Sequence, residues 1–394
     1  MKKSIRIRAI GALMLVFAGL LWLVGCGSPV SSGESGLQET QAEAEKNIGS
    51  LVYKESMKTE YATQFSVDYY EGGYVLLTTV YDGAKYLVVP EGASTPEGLD
   101  EDITVINRPV KNLYLVASAV MDLFCQLDAI DCIRFCGLEA EDWSIDQARE
   151  AMETGNLIYA GKYSAPDYER IVADGCTLAI ENMMISHSPE VIEKLAEFGI
   201  PTMIDYSSYE SHPLGRVEWI RFYGAMLGLE EEADAVFAGQ EESLERVTEE
   251  ADTEKTVAFF YLTTNGTVNV RKSSDYVPKM IELAGGTYVF KNLGSQEDHK
   301  SSVNMSMEEF YATAKDADYL IYNSTIEGEL QTVEDLLDKS SMLRDFQAVQ
   351  NGNVWCMSSD MYQHMTAAGA FIEDVHAMLT KDASHEMSYL YQLQ

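Results

Sequence analysis

A two-lobed α/β protein, with mostly parallel sheets joined by a long helical segment, is predicted by three features of the sequence. Short apolar runs alternate with helix-length amphipathic segments over residues 113–205 and again from residue 256 onward. Between those stretches, PLGRVEWIRFYGAMLGLEEEADAVFAGQEESLERVTEE runs on from Pro213 without a strand-like segment. The chain of 394 residues also exceeds what one core usually serves, at about 150 residues per domain.

The elements follow in order. Lys2, Lys3, Arg6 and Arg8 precede an uncharged run from Ala9 to Val24, the layout of a secretory signal peptide. At about 16 residues the run falls short of the roughly 20 needed for a permanent membrane span. Leu23, Val24, Gly25 and Cys26 resemble the bacterial lipobox, in which the cysteine thiol is acylated before cleavage on its amino side. The resemblance implies residues 1–25 as signal peptide and Cys26 as the lipid-bearing mature N-terminus. An uncleaved anchor with an incidental cysteine is the competing reading. Residues 26–48 are polar and rich in Ser, Gly, Glu and Gln, so they read as a flexible tether. Its root-mean-square span is roughly 25 to 30 Å, which would hold the body close to a membrane surface.

Residues 49–212 read as a first lobe with a leading hairpin region. Apolar and polar residues alternate through GYVLLTTVYDGAKYLVV around Asp82-Gly83, a hairpin signal. LYLV, CIRF, TLAI and PTMID then alternate with amphipathic segments, as βα units do. Residues 213–250 read as a helical connector, with proline at its first turn and a bend at Gly228. Residues 251–394 resume the alternation with TVAFFYL, YVPKMIELAGG, SMEEFYATAKDADYLIY and NVWCM, forming a second lobe.

Charge narrows the partners. The formal net charge is −35, and removal of residues 1–25, which hold four basic and no acidic residues, takes it to −39. Such a surface repels nucleic acid and anionic lipid headgroups, so attachment to a membrane would fall to the lipid anchor. Cys125, Cys132, Cys136, Cys176 and Cys356 form no CxxC pair and, being odd in number, cannot all pair within the chain. They read as small buried hydrophobes rather than a disulfide or zinc framework.

Four stretches, behind the lipobox, resemble the substrate-binding lipoproteins of ABC importers for ferric siderophores, haem and cobalamin. These are GKYSAPDYERIVADGCTLAI, SPEVIEKLAEFGIPTMI, HPLGRVEWIRFYGAMLGLEEEAD and SMEEFYATAKDADYLIY, and their order and spacing carry the resemblance from about Asn107 onward. It implies a class III periplasmic-binding-protein fold, two lobes on one long connecting helix. It also implies an extracytoplasmic, lipid-anchored receptor, expected as a monomer, that passes a metal chelate to an ABC permease and its ATPase. No chemistry, cofactor or resident metal of its own is expected. GCTLAI stands where the family usually has Pro-Asp before the strand, which weakens any transfer of ligand identity.

Ligands of parallel sheets bind beyond the carboxyl ends of the strands, so residues after apolar runs are the candidates. Tyr163 follows LIYAG, and Tyr206, Tyr209 and His212 follow PTMID. Arg271 follows TVNV, and Tyr362 and His364 follow the last predicted strand. Tyrosine rings and a guanidinium suit a large, partly apolar chelate, with a ferric siderophore ahead of a corrinoid or haem. The alternatives are ordinary loop residues, a receptor for a bare transition-metal ion, or a surface-anchored enzyme on the same scaffold. Against the enzyme, HEMSY lacks the second histidine of a zinc-protease helix, and no GxSxG or GxxxxGK[ST] occurs. His376 reads as structural. Ser188 with Glu190 and Ser306 with Glu308 open helices in the two halves, and the family's pattern of one permease-docking glutamate per lobe falls on Glu190 and Glu308. Dipole stabilisation of a first helical turn is the plainer account of both.

Overall fold

The computed structural model describes residues 46–248, 252–294 and 301–394. The predicted signal peptide, Cys26 and all but the end of the predicted tether lie outside the described residues.

The leading region is larger than a hairpin. Strands β1 (Tyr53–Ser56), β2 (Phe65–Tyr70), β3 (Val75–Thr79), β4 (Lys85–Val89) and β5 (Ile103–Asn107) form one sheet in that order. It is antiparallel except for the β4–β5 pair. Gly83 takes a positive φ of 70° at the predicted turn, and the Asp82 carboxylate accepts from the Thr79 hydroxyl at 2.6 Å and the Ala84 amide at 3.1 Å. Period-two alternation sends Val67, Val75, Leu77, Tyr86 and Val88 to the main core, while Tyr70, Leu76, Leu87 and Ile103 make a separate cluster on the opposite face.

The first-lobe sheet comprises β6 (Leu113–Leu115), β7 (Ile133–Cys136), β8 (Ile158–Tyr159), β9 (Leu178–Glu181) and β10 (Thr202–Ile204). Its order is β10-β9-β6-β7-β8, and every pair is parallel. Helices cover both faces, which is why these strands read as nearly continuous apolar runs. Leu113, Leu115 and Ile180 enter the main core, whereas Tyr114, Ala179 and Phe135 pack on the other side with Ile171 and Leu195.

The second lobe departs from a mostly parallel sheet. Strands β11 (Lys255–Leu262), β13 (Gly286–Tyr288), β15 (Tyr319–Asn323) and β16 (Val354–Met357) are mutually parallel, but β12 (Val268–Arg271), β14 (Ser302–Met305) and β17 (Leu390–Gln392) add antiparallel pairs at the edges. Thr263 to Thr267 close β11 onto β12 as a tight turn, with the Thr263 amide donating to the Thr267 carbonyl, so a hairpin replaces a crossover there.

The connector is three helices, Pro213–Val217, Trp219–Leu227 and Glu230–Thr248, rather than one bent helix. Gly228 makes the predicted break with a φ of 83°. Just before it, a Cβ on Gly224 would lie 2.5 Å from that of Ala233, so the two helices meet through a residue that must lack a side chain. Arg108 takes up carbonyls at the end of the middle helix, donating to Met226 at 3.1 Å and also to Ala225. The first joint is built around Glu218, which is fully buried and accepts the amides of Glu60, Tyr61 and Ala62 at 2.9, 2.8 and 2.7 Å. Glu210 receives the Thr63 and Gln64 amides and the Trp219 indole N–H in the same way. The loop 60–64 is thus a row of amides wrapped around two carboxylates, and it fastens the leading sheet to the connector.

Candidate ligand-binding cleft

A cleft of about 950 Å³ opens where the carboxyl ends of the parallel strands of both lobes converge. The segment after β9 contributes Met183, Met184 and His187, and the segment after β10 contributes Ser208 and Tyr209. The first connector helix supplies Arg216, which lies 4.0 Å above the Tyr276 ring. From the second lobe come Arg271, Asp275, Tyr276, Thr325, Ile326 and Tyr362.

Electrostatics concentrate on the two guanidiniums. Arg271 donates to the Tyr362 hydroxyl, sits 5.2 Å from that ring's centre, and pairs with Asp275 at 3.6 Å. Burial works against its charge, but the neighbouring Tyr362 oxygen and Asp275 carboxylate more than offset this and hold its pKa above the usual value. Asp275 is itself fixed by accepting the Val277 amide at 3.0 Å as the N-cap of the helix Tyr276–Leu283. The result is a pair of cations held against aromatic rings in a cleft of a strongly acidic protein. Such a surface can hold anionic or chelate oxygens through the guanidinium edges and apolar or conjugated groups against Tyr209 and Met184. Among the described residues, no three His, Cys, Asp or Glu side chains come together as a metal-holding group.

Comparison with known proteins bears on this arrangement. Residues 141–361, more than half of the chain and most of the cleft lining, match the family model described as periplasmic binding protein. The chain belongs to the periplasmic binding protein family. It is thereby a solute-binding protein rather than an enzyme. An uncharacterized lipoprotein of Methanocaldococcus jannaschii is 27% identical over 300 residues, covering 71% of this binding protein and 68% of the relative. Among solved structures, a periplasmic haem-binding protein of Pseudomonas aeruginosa aligns with a TM-score of 0.57 at 13% identity, over 72% of this chain and 98% of that one. A component of an Fe3+-hydroxamate transport system from Saccharomonospora viridis aligns with a TM-score of 0.53 at 15% identity, over 68% and 93% of the respective chains. Those two likenesses establish the fold.

The residues singled out from the sequence fall in several places in this binding protein. Tyr209, Arg271 and Tyr362 line the cleft together. Arg271 does so from antiparallel β12, so the carboxyl-end rule that selected it does not account for its position. Tyr206 points inward, 2% exposed, and its hydroxyl donates to Asp82 at 3.0 Å. Tyr163 packs on the outer core of the first lobe. His212 stacks on Tyr61 at 4.6 Å, and its Nδ1 accepts the Leu214 amide at 3.2 Å, capping the first connector helix. Burial, with Lys279 nearby, pushes its pKa down to about 4, so the ring is neutral and free to accept. His364 lies behind Arg216, Tyr276 and Tyr362 beside a void of about 10 Å³, with Asp122 at 3.9 Å. His376 donates from Nδ1 to the Ala284 carbonyl, 3.0 Å away, as a structural residue does. Glu190 and Glu308 are both exposed in the first turns of their helices. Ser306 accepts the Glu309 amide at 3.1 Å as expected, but Ser188 makes no side-chain cap bond of this kind.

His187, Arg216 and Tyr276 escaped the sequence reading. Arg216 carried a signal, since it stands one turn into a helix that begins directly after the β10 segment. A cation there points back toward the strand ends.

Proposed function

We propose that this chain is an extracytoplasmic receptor, tethered by a lipid on Cys26, that captures a metal chelate in the cleft and delivers it to an ABC permease. The observation that carries the reading is the pair of guanidiniums of Arg216 and Arg271 laid against the Tyr276 and Tyr362 rings. Two fixed positive charges repel a bare cation, which favours a chelate whose donor oxygens or carboxylates face outward. A ferric siderophore is the leading ligand class, followed by haem or a corrinoid. The haem-binding and hydroxamate-transport proteins that share the fold support that range, and the relative named a lipoprotein supports the tether. The boundaries proposed for the working parts are residues 26–48 for the tether, 49–212 and 251–394 for the lobes, and 213–250 for the connector, with the receptor acting as a monomer.

Intrinsic tryptophan fluorescence titrated with ferric desferrioxamine B, hemin and cobalamin tests the reading. At least one chelate is expected to give a saturable response, weakened about fivefold or more in Arg216→Gln, which removes one of the two guanidinium charges. Turnover of a substrate with no response to any chelate would sink it.

Docking to the permease is assigned to Glu190 and Glu308, one exposed carboxylate on each lobe. Paired charges far apart fix orientation and speed encounter more than they add affinity. Reversing both, Glu190→Arg with Glu308→Arg, is expected to lower uptake while chelate affinity stays within about twofold. Unchanged uptake would leave both as dipole-stabilising residues.

A further inference from the structure

The leading sheet lies before the segment matched by the family model, yet its β3–β4 tip reaches the rim of the cleft. The Tyr81 ring packs edge-on against Tyr209 with centroids 4.9 Å apart, and against Tyr206 at 5.0 Å. Tyr206 and Tyr209 are themselves 5.8 Å apart, so three rings from two distant segments close on one another. Their exposures differ. Tyr206 is buried and tied to Asp82, and Tyr209 is partly covered and lines the cleft, but Tyr81 keeps 46% of its surface open. Large apolar side chains left open elsewhere at this end include Met184 and Ile326, both of which line the same cleft. The hairpin is also held firmly, because the chain leading into β2 is bound through its amides to Glu210 and Glu218. A rigid, half-open aromatic ring beside a cleft-lining tyrosine is preorganised contact area.

We infer that Tyr81 is a ligand-contacting residue that carries the binding surface outward past Tyr209 and selects chelates whose apolar or aromatic periphery overhangs the first-lobe rim. The inference rests on the receptor reading. Its chemistry is that of flat contact: the ring covers an apolar edge of the ligand that the cleft itself leaves in water.

The test places a cysteine at the ring's position. In Tyr81→Cys, alkylation of the introduced thiol, read by peptide mass, is expected to slow about fivefold or more when hemin or ferric desferrioxamine B is bound. Val52→Cys, at the opposite end of the leading sheet, serves as the exposed control and should be unaffected. Tyr81→Ala should weaken the retained chelate about three- to tenfold, and Tyr81→Phe should stay within about twofold of the parent. If the parent binds a chelate but the thiol is not protected, the contact is refuted even where Tyr81→Ala loses affinity, since Tyr81 would then act through Tyr209. If the parent binds none of hemin, ferric desferrioxamine B and cobalamin, the receptor reading falls first and the inference falls with it.

Discussion

Glu218→Ala is expected to lower the stability of the folded chain by about 3 to 5 kcal/mol, the cost of breaking a buried, fully hydrogen-bonded carboxylate cluster. Glu218 is fully buried, accepts three successive amides from residues 60–62, and also receives the Arg221 guanidinium at 3.0 Å. Truncation leaves those amides facing a cavity at the joint of two connector helices. Glu218→Gln should recover only part of the loss, because its amide nitrogen is a donor facing donors. Urea unfolding followed by circular dichroism gives the comparison. A loss below about 1 kcal/mol for the alanine variant would mean that the loop 60–64 finds other acceptors and that the leading sheet is not anchored through this residue.

Glu181 is expected to behave in the opposite way. It ends β9, is fully buried, and neither carboxylate oxygen has a hydrogen-bond partner among the described residues. Burial alone pushes its pKa up to about 8 from an ordinary value of 4.5. The sign follows from proton counting. Between those two values the folded state holds a proton that the unfolded state has lost, so stability is highest below the unfolded value and falls as pH rises toward the folded one. At about 1.4 kcal/mol per pH unit, the residue costs roughly 3 kcal/mol at neutral pH. Glu181→Gln should therefore raise the midpoint of thermal unfolding at pH 8, with the gap closing by pH 5. A gap independent of pH would show that the carboxyl is not titrating in that window.

These two glutamates also show where sequence reading stops. With 63 acidic residues in the chain, no local pattern separates a carboxylate on a solvated helix face from one at a buried joint. That distinction arises only when residues 60–64 and 210–218, far apart in sequence, are brought together. The architecture was more legible, because it depends on local periodicity. The fully parallel first-lobe sheet, the break at Gly228 and the turn at Asp82-Gly83 each follow from alternation or from a residue with special backbone freedom. The antiparallel edges of the second lobe were not, since whether TVAFFYL and TVNVR form a hairpin or a crossover depends on pairing partners that their own pattern does not name. The cleft was legible in part for the same reason. Residues after strands can be found by position, and Tyr209 and Tyr362 were. Which tyrosine of YSSYESH turns inward was decided by Asp82, more than a hundred residues earlier.

Metal and chelator are proposed to enter the cleft together as one unit. The direct measurement is to equilibrate the chain separately with ferric desferrioxamine B, hemin, cobalamin and the corresponding bare metal salts, pass each through a desalting column, and quantify metal and organic chelator retained per chain. One chelate is expected to be retained with metal and chelator in equal amounts near one per chain, and the bare salts are not. Retention of metal without chelator, or of no chelate at all, would contradict it.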